Sequence, residues 1–151
     1  PQVGGRRLEY WIALGIRGGM GVIFGLFFGF GALMVTFAVV PGYYTPPLWL
    51  LVLSTALGAS IAGFLAFYKP EISWRIAVRG FALALAGGFI GGWIGYWYAQ
   101  TFYPDGVRNV MLVARSVRSP AITPFIASAS LFSTGAGAVY YAIRAWRYHE
   151  V

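Results

Sequence analysis

Uncharged, mostly apolar residues form four long segments along this chain, and the charged residues lie between and beside them. The first segment, residues 18–40, carries no charge. As a helix it is roughly 35 Å long, enough to cross a hydrocarbon core of about 30 Å. Similar segments occupy residues 46–68, 80–102 and 119–143. The pattern predicts an all-α membrane protein with four transmembrane helices in a single polytopic domain, residues 1–151.

The links between the segments predict how the spans run. Residues 1–8 are expected to form a polar arm, and Thr45 is expected to cap a second helix that starts at Pro46. Short links pair the spans into two like-oriented helical hairpins. In the longer connection, arginines fall on one arc and valines on the other over about residues 106–118. This predicts a short amphipathic interfacial helix before the fourth span, with an irregular loop as the alternative.

Small residues recur at every fourth position within the spans, which is the pattern that lets membrane helices approach closely. The third span carries two such ladders, so we expect it to lie centrally and to contact at least two helices. Because every span has a small-residue face, some faces are expected to be spare for other subunits. The residues predicted to pack helices are Gly21, Gly25, Gly29, Gly87, Gly91, Gly95, Gly88, Gly92, Ser133 and Gly137.

The two halves of the chain resemble each other. Two charged residues recur 62 positions later, Glu9 as Glu71 and Arg17 as Arg79. In the second helix of each half the offset is 74, as it is between Gly63 and Gly137. These matches predict an internal repeat about an axis along the membrane normal. Chance matching of glycine-rich helices is the alternative.

Composition and charge agree with a membrane location. Hydrophobic residues make up 59% of the chain and charged residues 10%, whereas soluble domains carry about 25% charged residues. The net charge of +7 lies beside apolar segments, which favours anionic lipids as partners and not nucleic acid. The bias of Lys and Arg predicts both termini on the cytoplasmic side of a bacterial inner membrane or its organellar equivalent. The residues expected to face lipid or partners are Arg17, Arg79, Arg108, Arg115 and Arg118.

Residues that carry chemistry are few. There is no cysteine, and the four acids all lie outside the predicted spans. The single histidine, His149, is expected to be a solvated tail residue. Glu9 with Arg17, and Glu71 with Arg79, are interpreted as interfacial anchors, with an anionic lipid site as the alternative. We therefore expect no catalytic, cofactor-binding or metal-binding residue.

These expectations favour a non-catalytic accessory subunit of a larger membrane complex, with respiratory or photosynthetic electron transport as the preferred setting. Its partners would be other membrane subunits and lipids, and it would have no cofactor of its own. Contacts with quinone, carotenoid or chlorophyll are less favoured than contacts with lipid. The alternative is a small homo-oligomeric channel or carrier for a neutral or lipid-linked solute. The lack of an ionisable residue within the spans argues against an ion-coupled carrier.

Overall fold

A computed structural model describes residues 2–39, 46–108 and 122–147 of the chain. In these ranges the chain is helical apart from short links. The helices are α1 (Gln2–Val39), α2 (Leu48–Phe67), α3 (Trp74–Phe102), α4 (Pro104–Arg108) and α5 (Ile122–Arg147). All but α4 are long and apolar enough to cross a membrane, which indicates an integral membrane protein. The prediction of an all-α chain with four membrane-spanning helices is confirmed at this level.

The four long helices form a ring in which α1 lies beside α2, α2 beside α3, α3 beside α5, and α5 beside α1. Helices α2 and α5 also touch across the middle of the ring. Neighbours in the ring run antiparallel: Gly21 of α1 lies near Ala66 of α2, and Gly95 of α3 lies near Pro124 of α5. It follows that α2 and α5 run parallel to each other.

Burial differs strongly between the first two helices. In the most apolar window of α2, 56% of the residues are buried, against 22% in the corresponding window of α1. The reason is position: α2 contacts α1, α3 and α5, whereas α1 packs mainly on α2 and α5. Large apolar side chains form a cluster at the end of the bundle where α2 and α5 begin. It comprises Leu33, Phe37, Leu51, Val52, Ile122, Phe125 and Ile126.

Two predicted helix starts are wrong. The expected polar arm over residues 1–8 is helical from Gln2 onwards, because no proline interrupts the good helix formers around Leu8. Helix α2 begins at Leu48 and not at Pro46, and the extended Pro47 (φ −62°, ψ 143°) is its N-cap, with no side-chain cap. A proline disfavours the helical conformation of the residue before it, so Pro46 stays outside the helix. Thr45 lies outside the described residues.

The later boundaries agree in part. Helix α3 ends at Phe102 as predicted but already begins at Trp74, and α5 continues to Arg147. The connection after α3 turns directly into α4, which has Asp105 in its first turn. The predicted interfacial helix, residues 106–118, overlaps α4 only at its start. Residues 109–121 lie outside the part of the chain that the structure describes.

Candidate functional site

The glycine ladder of α1 faces the groove between α2 and α5. A Cβ atom placed on Gly21 would lie 3.2 Å from the Ala66 Cβ of α2 and 3.0 Å from a Thr134 methyl carbon of α5. One turn further along, Gly25 faces the hydroxyl of Ser130. Gly29 then lies between α2 and α5 at ordinary van der Waals distance. The ladder lets α1 pack closely between α2 and α5.

The two ladders of α3 have different surroundings. Gly88 lies between α2 and α5, next to Ala56 and Ser133, and Gly92 faces Val52 of α2. The other ladder lies on the backbone of α5. A Cβ atom would sit 2.6, 2.5 and 2.7 Å from the carbonyl oxygens of Phe132, Ser128 and Pro124 at Gly87, Gly91 and Gly95 respectively. Real Cβ atoms essentially never approach within 3.0 Å of another heavy atom, so only glycine fits here.

The remaining two packing positions lie on α5. A Cβ atom added to Gly137 would lie 3.7 Å from the ring of Phe67, and Ser133 is fully buried. All ten ladder positions therefore lie within the bundle. The glycines with nothing within 4 Å of an added Cβ are Gly15, Gly18, Gly19, Gly31 and Gly135. Any surface offered to another subunit consists mostly of other residues.

Five hydroxyl side chains are buried in the middle of the bundle, on α2 and α5: Thr55, Ser60, Ser130, Ser133 and Thr134. Ser60 donates to the Ala56 carbonyl at 2.5 Å, and its oxygen lies 3.4 Å from that of Ser133. Ser130 donates to the carbonyl of Val22 on α1 at 2.7 Å. The hydroxyls of Thr55 and Thr134 have no partner among the described residues. Such groups commonly join membrane helices.

Cationic side chains gather at the end of the bundle where α1 begins and α5 ends, which we call the basic end. Here a pocket of about 140 Å³ opens between α1, the α2–α3 link and α5. The Tyr10 hydroxyl, which lines it, donates to the Tyr141 carbonyl at 3.3 Å and so joins α1 to α5. The polar residues that line this basic pocket are Tyr10, Arg17, Lys69, Tyr141 and Arg144.

A second cavity, the α1/α2 groove, runs along the outside of the bundle from the basic end. Its volume is about 460 Å³. Arg17 lies at one end of it, and Phe24 and Phe28 follow along α1. The other lining residues are Met20, Ala62, Leu65, Ala66 and Tyr68. Arg17 lines both cavities, so the basic pocket and the groove lie on either side of this residue.

A third cavity, of about 210 Å³, lies between α3 and α5 at the same end. Arg79, Arg144 and Arg147 line it together with Tyr140. Arg144 thus belongs both to this cavity and to the basic pocket. The basic end consequently presents several guanidinium groups around the chain's own tyrosines.

The structure brings together some of the residues expected to contact lipid or partners. Arg17 and Arg79 both lie at the basic end, each in a cavity. The expected neighbours of these arginines, Glu9 and Glu71, are exposed. Arg115 and Arg118 lie outside the described residues, as do His149, Glu150 and the side chain of Arg108. Among described residues, no group of three or more His, Cys, Asp or Glu is close enough to hold a metal ion.

Sequence reasoning missed Lys69, Arg144, Tyr10 and Tyr141 as members of one site. The available signal was their position, since each lies close to the predicted end of a span. Comparisons with protein-family models, with curated proteins and with solved structures give no match for this chain. Its function is therefore inferred from its own residues and their arrangement.

Proposed function

We propose that this chain is a non-catalytic accessory subunit of a larger membrane complex. The observation that carries the proposal is an exposed apolar stripe along α1. Leu8, Ile12 and Ile16 are 62%, 53% and 59% exposed and lie one turn apart. The same face continues at Met20, Ile23 and Phe27. Residues spaced in this way occupy one side of a helix.

The stripe extends past the end of the shorter neighbouring helix. Helix α1 has 38 residues and is about 57 Å long, whereas α2 has 20 residues and is about 30 Å long. The end of α2 lies near Gly21, because Ala66 contacts that glycine. Leu8, Ile12 and Ile16 therefore lie beyond α2. An exposed apolar stripe whose first part extends beyond the neighbouring helix α2 supports contact with another protein in addition to lipid.

The setting in respiratory or photosynthetic electron transport comes from where small accessory subunits commonly occur. It rests on no residue of this chain. Quinone, carotenoid or chlorophyll contacts remain secondary to lipid in the proposal. The proposal of a non-catalytic role follows the sequence, in which four carboxylates lie far apart along the chain.

We further propose that both termini face the cytoplasm or its organellar equivalent. The first half of α1, the α2–α3 link, the start of α3 and the end of α5 lie at one end of the bundle. They carry Arg17, Lys69, Arg79, Arg144 and Arg147. The positive-inside rule supports the cytoplasmic side for this end. The helical start at Pro104–Arg108 supports a surface helix over about residues 106–118 on the opposite side.

The hairpins α1–α2 and α3–α5 are proposed to be copies, related by a two-fold axis between α2 and α5. On such an axis, residues 74 apart should meet their own equivalents. Phe67 and Tyr141 are 74 apart, and their rings lie 5.7 Å from each other. The hydroxyls of Ser60 and Ser133, which are 73 apart, also face each other.

The contacts within each hairpin also support the repeat. Gly29 of α1 lies against Thr55 of α2. Offsets of 62 and 74 carry this pair to Gly91 and position 129, and Gly91 lies against the adjacent Ser128. The two hairpins therefore pair in the same register to within one residue.

The accessory role is tested by gentle detergent extraction from native membranes, followed by native gels and mass spectrometry. Co-migration with one stoichiometric assembly is the expected result. A chain that migrates alone as a homo-oligomer contradicts the proposal.

Cross-linking locates the contact. The sequence has no cysteine, so single cysteines can be introduced without background. Ile12→Cys should cross-link to a larger subunit. The control Val139→Cys, on the exposed face of α5, should do so far less.

The second candidate remains a homo-oligomeric channel or carrier for a neutral or lipid-linked solute. The buried hydroxyls favour it, since Thr55 and Thr134 lack partners among the described residues. Against it, these side chains are at most 2% exposed, so the centre of one chain is packed and not an open pore. Solute flux into vesicles that contain only this protein would support the second candidate over the first.

A further inference from the structure

We propose that the basic end holds one anionic phospholipid, with its phosphate among Arg17, Lys69 and Arg144 and one acyl chain in the α1/α2 groove. The proposal deepens the lipid contact included in the proposed function and rests on the same membrane location. It does not require the chain to belong to a larger complex.

The charge of the basic pocket suits a phosphate. Arg17, Lys69 and Arg144 line it, and its described lining includes no carboxylate. Guanidinium groups bind phosphate oxygens through paired hydrogen bonds, and Lys adds a further positive charge. The cations come from three separate parts of the chain, α1, the α2–α3 link and α5. A single bound phosphate would thus join three elements at this end of the bundle.

The α1/α2 groove suits an acyl chain. It is lined by apolar side chains apart from Arg17 and the hydroxyl of Tyr68, and several of them are exposed on the outside of the bundle. From Arg17 to Phe28 the groove is about 17 Å long at the helical rise per residue. One leaflet of a hydrocarbon core is about 15 Å thick, half of the full core. A chain that starts at a phosphate near Arg17 would therefore reach the middle of the membrane.

The size of the groove favours a chain over a partner helix. A helix segment of the same length, with a diameter of about 10 Å, fills roughly 1,300 Å³. The groove offers about 460 Å³. Because only a thin chain can lie fully within the groove, a lipid tail fits it and a helix would lie across it.

A free phosphate would occupy only the basic pocket and would leave the α1/α2 groove empty. Arg17 lines both, so a phosphate held in the basic pocket lies next to the mouth of the groove. A ligand with an anionic head and an apolar tail can place its head in the basic pocket and its tail in the groove. The presence of Arg17 in both linings is the reason to assign a lipid and not a soluble anion.

Native mass spectrometry of the purified, delipidated full chain tests the head group site. Phosphatidylglycerol should bind in preference to phosphatidylcholine. Arg17→Gln and Lys69→Gln should each weaken phosphatidylglycerol binding about fivefold, the effect of about 1 kcal/mol per cation near a membrane surface. Arg75→Gln is the matched control, because Arg75 is exposed on α3 and lines none of the three cavities. Equal losses in Arg17→Gln and Arg75→Gln would overturn the proposal in favour of general surface charge.

The groove is tested with a side chain that fills it. Leu65→Trp should weaken phosphatidylglycerol binding several-fold, whereas Leu83→Trp, on the exposed face of α3, should leave it unchanged. Inorganic phosphate at millimolar concentration should not displace the lipid. Displacement by phosphate, together with no effect of Leu65→Trp, would show a soluble-anion site and overturn the acyl-chain assignment.

A variant that fails to fold is recognised by its melting temperature in zwitterionic detergent. If Arg17→Gln melts early, Arg17→Lys takes its place, since it keeps the charge and should keep at least half of the binding. Loss of binding in a stable Arg17→Lys variant would contradict a site based on charge. Because the assay uses the isolated chain, its failure is distinct from a failure to co-purify with a larger assembly.

Discussion

The two helical hairpins, α1–α2 and α3–α5, differ in which glycines bring their two helices into close contact. In the α1–α2 hairpin the closest approach is at Gly58 of α2, which lies on the Phe28 carbonyl of α1. In the α3–α5 hairpin the glycines are on the first helix. Gly87, Gly91 and Gly95 of α3 lie on successive turns of the α5 backbone.

Glycine ladders with the same spacing therefore make different contacts in α1 and α3. The ladder of α1 faces side chains of two helices, whereas the first ladder of α3 faces the carbonyl oxygens of one helix. Close contact of this kind places glycine Cα–H groups against carbonyl oxygens, a weak attraction that accompanies tight packing. We therefore expect substitutions in the first ladder of α3 to be tolerated less well than substitutions in the ladder of α1.

The largest expected effect is at Gly91. In Gly91→Leu the new Cβ would lie 2.5 Å from the Ser128 carbonyl oxygen and 2.6 Å from the Phe132 Cβ. Overpacking against backbone cannot be relieved by a rotamer change, so we expect a loss of about 3 kcal/mol or more. Reversible unfolding in mixed micelles measures it. Gly135→Leu is the control, because nothing lies within 4 Å there. Similar losses in both variants would refute the tight α3–α5 contact.

The next largest effect tests the close contact within the first hairpin, between α1 and α2. Gly58→Ala places a Cβ 2.7 Å from the Phe28 carbonyl carbon, and we expect a loss of about 2 kcal/mol. The same unfolding assay applies. Gly31→Ala, on α1 and open to its surroundings, should be neutral or stabilising by up to about 1 kcal/mol through helix propensity. A neutral Gly58→Ala would mean that α1 and α2 are further apart than described.

A coupled pair probes the contact between α1 and α5. A Cβ on Gly25 meets the hydroxyl of Ser130, which itself donates to the Val22 carbonyl at 2.7 Å. Gly25→Ala should cost about 1 kcal/mol, and Ser130→Ala about 0.6 kcal/mol. Their combination should cost less than the sum, because Ser130→Ala removes the atom that Gly25→Ala strikes. Additive losses in a double-mutant cycle would argue against this contact.

The smallest effect concerns the hydroxyls without partners. Thr134→Val replaces a buried hydroxyl that has no hydrogen-bond partner among the described residues with a methyl group of similar size. Such a change should leave stability unchanged or raise it by up to about 1 kcal/mol. Ser60→Ala is the comparison, since Ser60 is bonded to the Ala56 carbonyl and should lose stability. A clear loss in Thr134→Val, measured in the same assay, would indicate that the hydroxyl is bound by water or a ligand.

The sequence was informative about spans because the bilayer imposes one simple requirement. A helix must remain uncharged over about 20 residues, and that property can be counted along the chain. The ends of the helices were less predictable from the sequence. Pro47 moved the start of α2 to Leu48, and the helix of α1 continued back to Gln2. Both boundaries depend on local backbone preferences, which hydropathy does not report.

The sequence by itself determined that this is an all-α chain with four apolar spans and cations at their ends. Only the tertiary structure decided which helix each glycine faces, and that Arg17, Lys69 and Arg144 line one pocket beside an apolar groove. The physical reason is that spans follow from the transfer of single segments into hydrocarbon. Partner choice follows from close packing between segments far apart in the chain, and small residues recur too often in these helices to specify it alone.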